Sequence, residues 1–204
     1  KWIGHSDTET LLALINFFGV DEALRLTKGM FSLALWDQKK KELTLARDRI
    51  GEKPLYWGWS GSDLVFGSEL KALTIHQNFT NETCKESLCQ YLRYMYIPSP
   101  RSIYKGIYKL EPGTILTIKN CPPMRPPNNP LRPGDTYENL SIRHYWDLNS
   151  EIETGTKNFI IDDQEAISNL ENVLLKSVKR QMISDVPLGA FLSGGLDSSI
   201  IVAL

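Results

Sequence analysis

Apolar residues recur at helical spacing at Leu11, Leu12, Leu14, Ile15 and Phe18, behind Ser6 as an N-cap and Glu9 three positions on. The pattern predicts a helix there and a second, shorter one over residues 20–27, before Gly29. The period then changes to two. Residues 30–36 (MFSLALW) and 43–46 are β-rich runs flanking a polar stretch, residues 37–42, whose triple lysine Lys39-Lys40-Lys41 reads as a solvated hairpin tip. Residues 55–59 and 64–66, divided by Ser60-Gly61-Ser62-Asp63, continue the same meander, so an α+β layer with one antiparallel sheet is expected. A helix over residues 82–95, ended by Pro98-Ser99-Pro100, and a strand over residues 114–119 follow.

Six of the thirteen residues from 121 to 133 are proline, a composition that lacks ladder donors and predicts an exposed loop or linker. Beyond it, Ile167, Leu170, Leu174, Val178 and Met182 trace one helical face, with Asp162 as N-cap and Glu165 three positions on. Pro187 stops that helix. Residues 188–192 then read as a short buried strand, Gly194-Gly195 as a turn, and the residues from Leu196 as a new helix. The switch from antiparallel meander to helix, strand, glycine turn and helix predicts two domains, residues 1–150 and the start of an α/β domain over residues 151–204.

Composition narrows the partners. Of 204 residues, 23 are Lys or Arg and 24 are Asp or Glu, a formal net charge of -1, which removes the whole-surface electrostatic case for nucleic acid or anionic membrane. No apolar run approaches the roughly 20 residues that cross a bilayer, and residues 1–4 lack a signal-peptide core. A cytoplasmic protein is expected. Cys84, Cys89 and Cys121 form no CxxC pair, and His5, His76 and His144 are too dispersed for a local metal site. The sequence opens on Lys1 with a helix signal almost at once and closes within an unfinished helix, so an internal segment of a longer protein is the expectation.

The strongest chemical signal is Ser193-Gly194-Gly195-Leu196-Asp197-Ser198, preceded by Leu192. A glycine pair ahead of a helix lets backbone approach an anion, with the helix's free N–H groups and positive dipole pointing at it. No GK[ST] follows, so this is no Walker A loop. Asp197 would repel a bare phosphate and makes sense with a divalent cation between them, while Ser193, Ser198 and Ser199 supply hydroxyl donors. This stretch resembles the SGGxDS signature of the PP-loop ATP pyrophosphatases. That resemblance implies ATP cleaved between its α and β phosphates, pyrophosphate held by residues 192–195, Asp197 and Ser198, and Mg2+ on Asp197.

Upstream, His5-Ser6-Asp7-Thr8-Glu9, residues 29–37 (GMFSLALWD), 46–56 (ARDRIGEKPLY) and 66–73 (FGSELKAL) look like the second half of a class II glutamine amidotransferase domain. With Asp185-Val186-Pro187-Leu188-Gly189 before the ATP loop, the order resembles that of the glutamine-hydrolysing asparagine synthetase family. The resemblance implies a partial Ntn-hydrolase-type glutaminase sandwich followed by the first helix, strand and PP-loop of an adenine-nucleotide domain. It implies a nucleophilic cysteine upstream of Lys1, so no catalytic residue is expected within the chain. It also implies that Asp7 binds the α-ammonium of glutamine, and that Met30 borders the route of ammonia, although by pattern Met30 opens a strand packed in the core.

By composition Arg47-Asp48 reads as a buried ion pair pinning a turn, and Tyr91, Tyr94, Tyr96, Tyr104 and Tyr108 read as packing a domain interface. The expected activity is ATP-dependent asparagine synthesis from aspartate with ammonia from glutamine, by a full-length homodimer with ATP and Mg2+. The alternatives are a relative acting on another carboxylate, as in β-lactam synthesis or surface-polysaccharide amidation, and a non-catalytic binding module. A tRNA-modifying enzyme is disfavoured by the near-zero charge.

Overall fold

Leu45 and Ala46 are neighbours in sequence and both fully buried, yet they enter different cores, and that division organises the larger part of the structure. The computed structural model describes residues 3, 4 and 6–204. One unit ends at Leu148 and a second spans Asn149–Leu204. In the first, β1 (Ser32–Asp37), β2 (Glu42–Arg47), β6 (Thr114–Lys119), β8 (Leu140–His144) and β7 (Thr136–Tyr137) form a five-stranded antiparallel sheet in that order. A three-stranded sheet holds β4 (Asp63–Gly67), β3 (Tyr56–Ser60) and β5 (Ile107–Lys109).

Successive side chains on a strand point to opposite faces. Leu45, Leu116, Ile118, Leu140 and Ile142 therefore leave one face of the larger sheet and meet Trp57, Trp59 and Tyr108 of the smaller one. Ala46 and Ile115 leave the other face and meet Leu24, on α2 (Val20–Leu26), and Tyr145. The order of layers is helix, sheet, sheet, with α1 (Asp7–Phe18) packed on α2. Because both faces of the larger sheet are covered, each fully buried Leu or Ile on it contributes about 1.5–3 kcal/mol. Helices α3 (Leu70–Leu73) and α4 (Lys85–Tyr94) lie in sequence between β4 and β5.

The first hairpin, both early helices and the strand at residues 114–119 form as the pattern predicts. The single meander does not. β3 and β4 belong to the second sheet, and the open edge of β2 pairs instead with β6, Leu45 facing Leu116. Between β2 and β3 the chain leaves the larger sheet through a turn in which Asp48 and Arg47 bond to backbone rather than to each other. The proline-rich stretch is also more than an exposed linker. It lies between β6 and β7, buries Pro123 completely, and accepts a 2.8 Å bond from Trp59 Nε1 on the Pro123 carbonyl.

The second unit takes all but the first residue of α5 (Leu148–Thr156), and α6 (Asp163–Gln181) and α7 (Leu196–Ala203) follow in order. Asp162 caps α6 as expected, its Oδ1 accepting from the Glu165 N–H at 2.8 Å. Residues 188–192 are not the buried strand that their composition suggests: they take no ladder partner, and Phe191 is 99% exposed. A strand exists only as part of a pair, and this unit contains no other strand among the described residues.

Candidate functional site

The glycine turn forms the start of α7. Gly194 adopts φ +82°, the left-handed region that an L side chain resists, and nothing lies within 4 Å of where its Cβ would be. The backbone is thus open to a ligand at that point. Gly195 is the N-cap and offers no side-chain acceptor, so the first N–H groups of α7 have no partner inside the helix. Ser193 Oγ and Ser198 Oγ lie 3.0 Å apart, which draws the two hydroxyls to one side of the turn.

Ser199 behaves differently from the expectation. Its Oγ donates to the Gly195 carbonyl at 2.8 Å, inside the helix's own first turn, because a serine one turn into a helix finds that carbonyl nearest. Ser198 Oγ reaches the same carbonyl at 3.0 Å, leaving Ser193 as the hydroxyl that donates outward or to Ser198. Asp197 is exposed in the first turn, and Leu192 is exposed ahead of it. Among the described residues no group of three or more His, Cys, Asp or Glu could hold a metal. A cation on Asp197 would therefore take its remaining ligands from a nucleotide's phosphates or from water.

The second predicted site is the start of α1. Ser6 caps the helix through the Thr8 N–H at 3.1 Å. Glu9 reaches back further than a capping box requires, taking the N–H groups of Ile3 at 2.9 Å and Gly4 at 2.7 Å, and these bonds hold its carboxyl below its ordinary value. Asp7 keeps only two long contacts on Oδ1, from Ser6 Oγ at 3.4 Å and Thr8 Oγ1 at 3.5 Å. Asp7 is exposed, and its other oxygen has no hydrogen-bond partner among the described residues. His5 lies outside the described residues.

Met30 is neither in a strand nor in the core: β1 begins at Ser32 and Met30 is 60% exposed. Pairing starts one residue later, where the Phe31 carbonyl accepts from the Asp48 N–H at 2.9 Å and the Phe31 N–H reaches Asp48 Oδ2 at 3.3 Å. Of the five tyrosines, Tyr108 is buried in the core between the sheets and Tyr104 packs edge-on to Phe79, whereas Tyr91, Tyr94 and Tyr96 are exposed.

The turn after β2 contains what the sequence concealed. Arg47 and Asp48, consecutive at a strand end, point apart and form no ion pair. Asp48 is 2% exposed and accepts N–H bonds from Gly51 at 2.7 Å, Glu52 at 2.9 Å and Lys53 at 2.9 Å, besides that of Phe31. Arg47 gathers the opposite polarity, donating to the carbonyls of Gly51 at 2.6 Å, Leu110 at 2.7 Å and Lys53 at 2.9 Å. Burial lowers the pKa of Arg47, with the Asp48 and Tyr56 charges opposing. Gly51, at φ +74°, fits because a Cβ there would lie 2.8 Å from Pro112 Cγ and 2.9 Å from Arg47 Cζ. The only local signal was an Asp followed three residues later by Gly.

Comparison with known proteins gives two matched regions. Residues 1–123 match the glutamine amidotransferase domain family, and residues 169–204 match the asparagine synthase family. A putative asparagine synthetase [glutamine-hydrolyzing] 2 of Methanocaldococcus jannaschii is 34% identical over 98% of this chain and 35% of its own length. Asparagine synthetase [glutamine-hydrolyzing] 3 of Bacillus subtilis is 33% identical over 98% of this chain and 29% of its own. Amidase chry2 of Gibberella zeae is 28% identical over the whole chain and 27% of its own length. The chain thus spans about a third or less of these relatives.

Proposed function

The chain belongs to the glutamine amidotransferase domain family, and from that premise we propose that it is part of a longer enzyme making asparagine from aspartate, ATP and the amide nitrogen of glutamine. One observation carries the reading: an amidotransferase match is followed in the same chain by an asparagine synthase match, an order kept over 98% of the chain in relatives named for that synthesis. The boundary between the two functions falls near residue 150. We assign the enzyme to the cytoplasm as a homodimer.

In this reading glutamine is held by its α-ammonium on Asp7, whose open carboxylate oxygen supports the role. Ammonia released there passes Met30. In the second domain the aspartate side-chain carboxylate attacks the α-phosphorus of ATP, forming an acyl adenylate and releasing pyrophosphate. Ammonia then attacks the acyl carbon and AMP leaves. The backbone from Leu192 to Gly195, with the Ser193 and Ser198 hydroxyls, receives the pyrophosphate oxygens, and the open space at Gly194 fits that contact. Mg2+ on Asp197 would offset the charge building on the departing group.

Asp197→Asn in the full-length protein tests the assignment. The substitution keeps the size of the side chain and removes its charge. AMP and pyrophosphate formation should fall on the order of 100-fold with either glutamine or free ammonia, while glutamine hydrolysis alone continues. Formation of both products at the parent rate would refute the role. A second reading, an acceptor other than aspartate, is favoured by the full-chain similarity to the protein named an amidase. It gains if the parent enzyme hydrolyses glutamine yet forms no AMP with aspartate.

A further inference from the structure

Arg47 and Lys109 line one cavity of about 210 Å³ whose wall includes no carboxylate. It is smaller than the ~300–1,000 Å³ of sites for drug-sized ligands, a size for a compact ion. Strand register brings its groups together. Tyr56 on β3 stands directly opposite Lys109 on β5, and opposed residues share a face of the sheet. The next pair, Trp57 and Tyr108, enters the core between the sheets, so Tyr56 and Lys109 leave the other face and line the cavity with Ser99. Arg47 arrives from the end of β2 and is fixed by the carbonyls of Lys53, Leu110 and Gly51.

Both cations keep donors to spare. Lys109 Nζ donates to the Ile97 carbonyl, which uses one of its three N–H groups, and Arg47 uses three of five. Neither forms an ion pair among the described residues. Asp48 offsets part of the Arg47 charge but is spent on four backbone N–H groups. The Tyr56 and Ser99 hydroxyls have no hydrogen-bond partner among the described residues. Burial, with the Arg47 charge adding to it, holds the Lys109 pKa below its ordinary value. Two neighbouring cations withdrawn from water destabilise each other, and an anion entering the cavity relieves both.

We propose that this cavity binds a phosphate group, with its charge on Lys109 and Arg47 and its oxygens on the Tyr56 and Ser99 hydroxyls. A planar carboxylate pairs best with a guanidinium whose parallel N–H groups are free, and both terminal nitrogens of Arg47 are already committed to carbonyls. A tetrahedral phosphate sends oxygens to donors arriving from different strands, and a charge of about −1.5 to −2 at neutral pH matches two cations. Free phosphate and a small phosphomonoester offer the same group. The cavity shares no residue with Asp7, Met30 or residues 192–198, so the inference does not rest on the proposed synthesis.

The test is NMR of the full-length protein with 13C-labelled lysine and tyrosine, titrated with inorganic phosphate, methyl phosphate and acetate at constant ionic strength. The Lys109 and Tyr56 signals are assigned by their loss in Lys109→Arg and Tyr56→Phe. Phosphate should shift both signals saturably and raise the pH midpoint of the Lys109 signal, because an adjacent anion favours the ammonium. Acetate should bind tenfold or more weakly. Methyl phosphate binding at least as tightly as inorganic phosphate identifies a monoester as the ligand, and weaker binding identifies free phosphate. Read at Tyr56, Lys109→Met should weaken phosphate tenfold or more, while Lys109→Arg, which keeps the charge, should stay within about threefold of the parent, a rescue that a merely structural role would not produce. The measurement on the parent protein remains decisive even where Lys109→Met does not fold. The proposal is overturned if neither phosphate moves the Lys109 signal, if acetate binds as tightly, or if Lys109→Met binds phosphate as the parent does.

Discussion

Replacing Asp48 by alanine should loosen the turn that follows β2 and lower the stability of the first unit. The carboxylate accepts four backbone N–H groups and is 2% exposed. Glu52 and Lys53 are exposed, so water can replace the carboxylate at their N–H groups, but those of Gly51 and Phe31 are partly buried. The Gly51 N–H keeps the backbone carbonyl of residue 48 at 3.2 Å, so the Phe31 N–H is the partly buried donor that loses its acceptor, and the loss is roughly 1–3 kcal/mol. That is a large share of the ~5–15 kcal/mol that holds a domain folded. Asp48→Asn keeps one acceptor oxygen and turns an amide NH2 towards donors, so its cost should also be substantial but smaller. Urea unfolding of the 204-residue chain followed by tryptophan fluorescence suits the measurement, since Trp57 and Trp59 lie in the core joining the two sheets. A lower midpoint at constant slope reports stability directly. If Asp48→Ala unfolds within about 1 kcal/mol of the parent, the turn is held by something other than this carboxylate.

Asp7→Ala in the full-length protein should lower glutamine efficiency roughly 10- to 100-fold while sparing the ammonia-fed reaction; equal loss of both rates would show that Asp7 supports the fold instead. Tyr145 bonds through its hydroxyl to the Arg47 carbonyl at 3.1 Å, and burial pushes its pKa up to about 12, with Arg49 opposing and Asp48 adding. Its contribution is therefore fully present below the unfolded phenol value of about 10 and is lost as pH rises through about 12. The stability advantage of the parent over Tyr145→Phe should shrink above about pH 10; an advantage that stays constant from neutral to strongly alkaline pH would count against this.

What could be read from the sequence was local. Ser6 and Asp162 announce their helices because a cap is chosen within one turn, and the structure has both bonds. The turn at residues 193–198 was legible for the same reason, its residues being contiguous. Strand partnership was not, because Leu45 faces Leu116 and nothing near either position encodes the other. β8 escaped notice since LSIRH offers only two apolar residues to alternate. Residues 188–192 had the composition of a strand without a neighbour to pair with.

The junction of β2 with β6 also sets an order of events during synthesis. The β1–β2 hairpin is complete once Arg47 has left the ribosome, yet its inner edge has no partner until residues 114–119 follow. At ~5–20 residues per second that interval is roughly 4 to 14 s, far longer than the microseconds in which a hairpin forms. Throughout it, Leu43 and Leu45 stand on an unpaired strand edge, a surface that recruits other strands. The nascent protein is thus most exposed to mispairing between the synthesis of β2 and that of β6, and a chaperone that holds extended apolar segments would act in that interval.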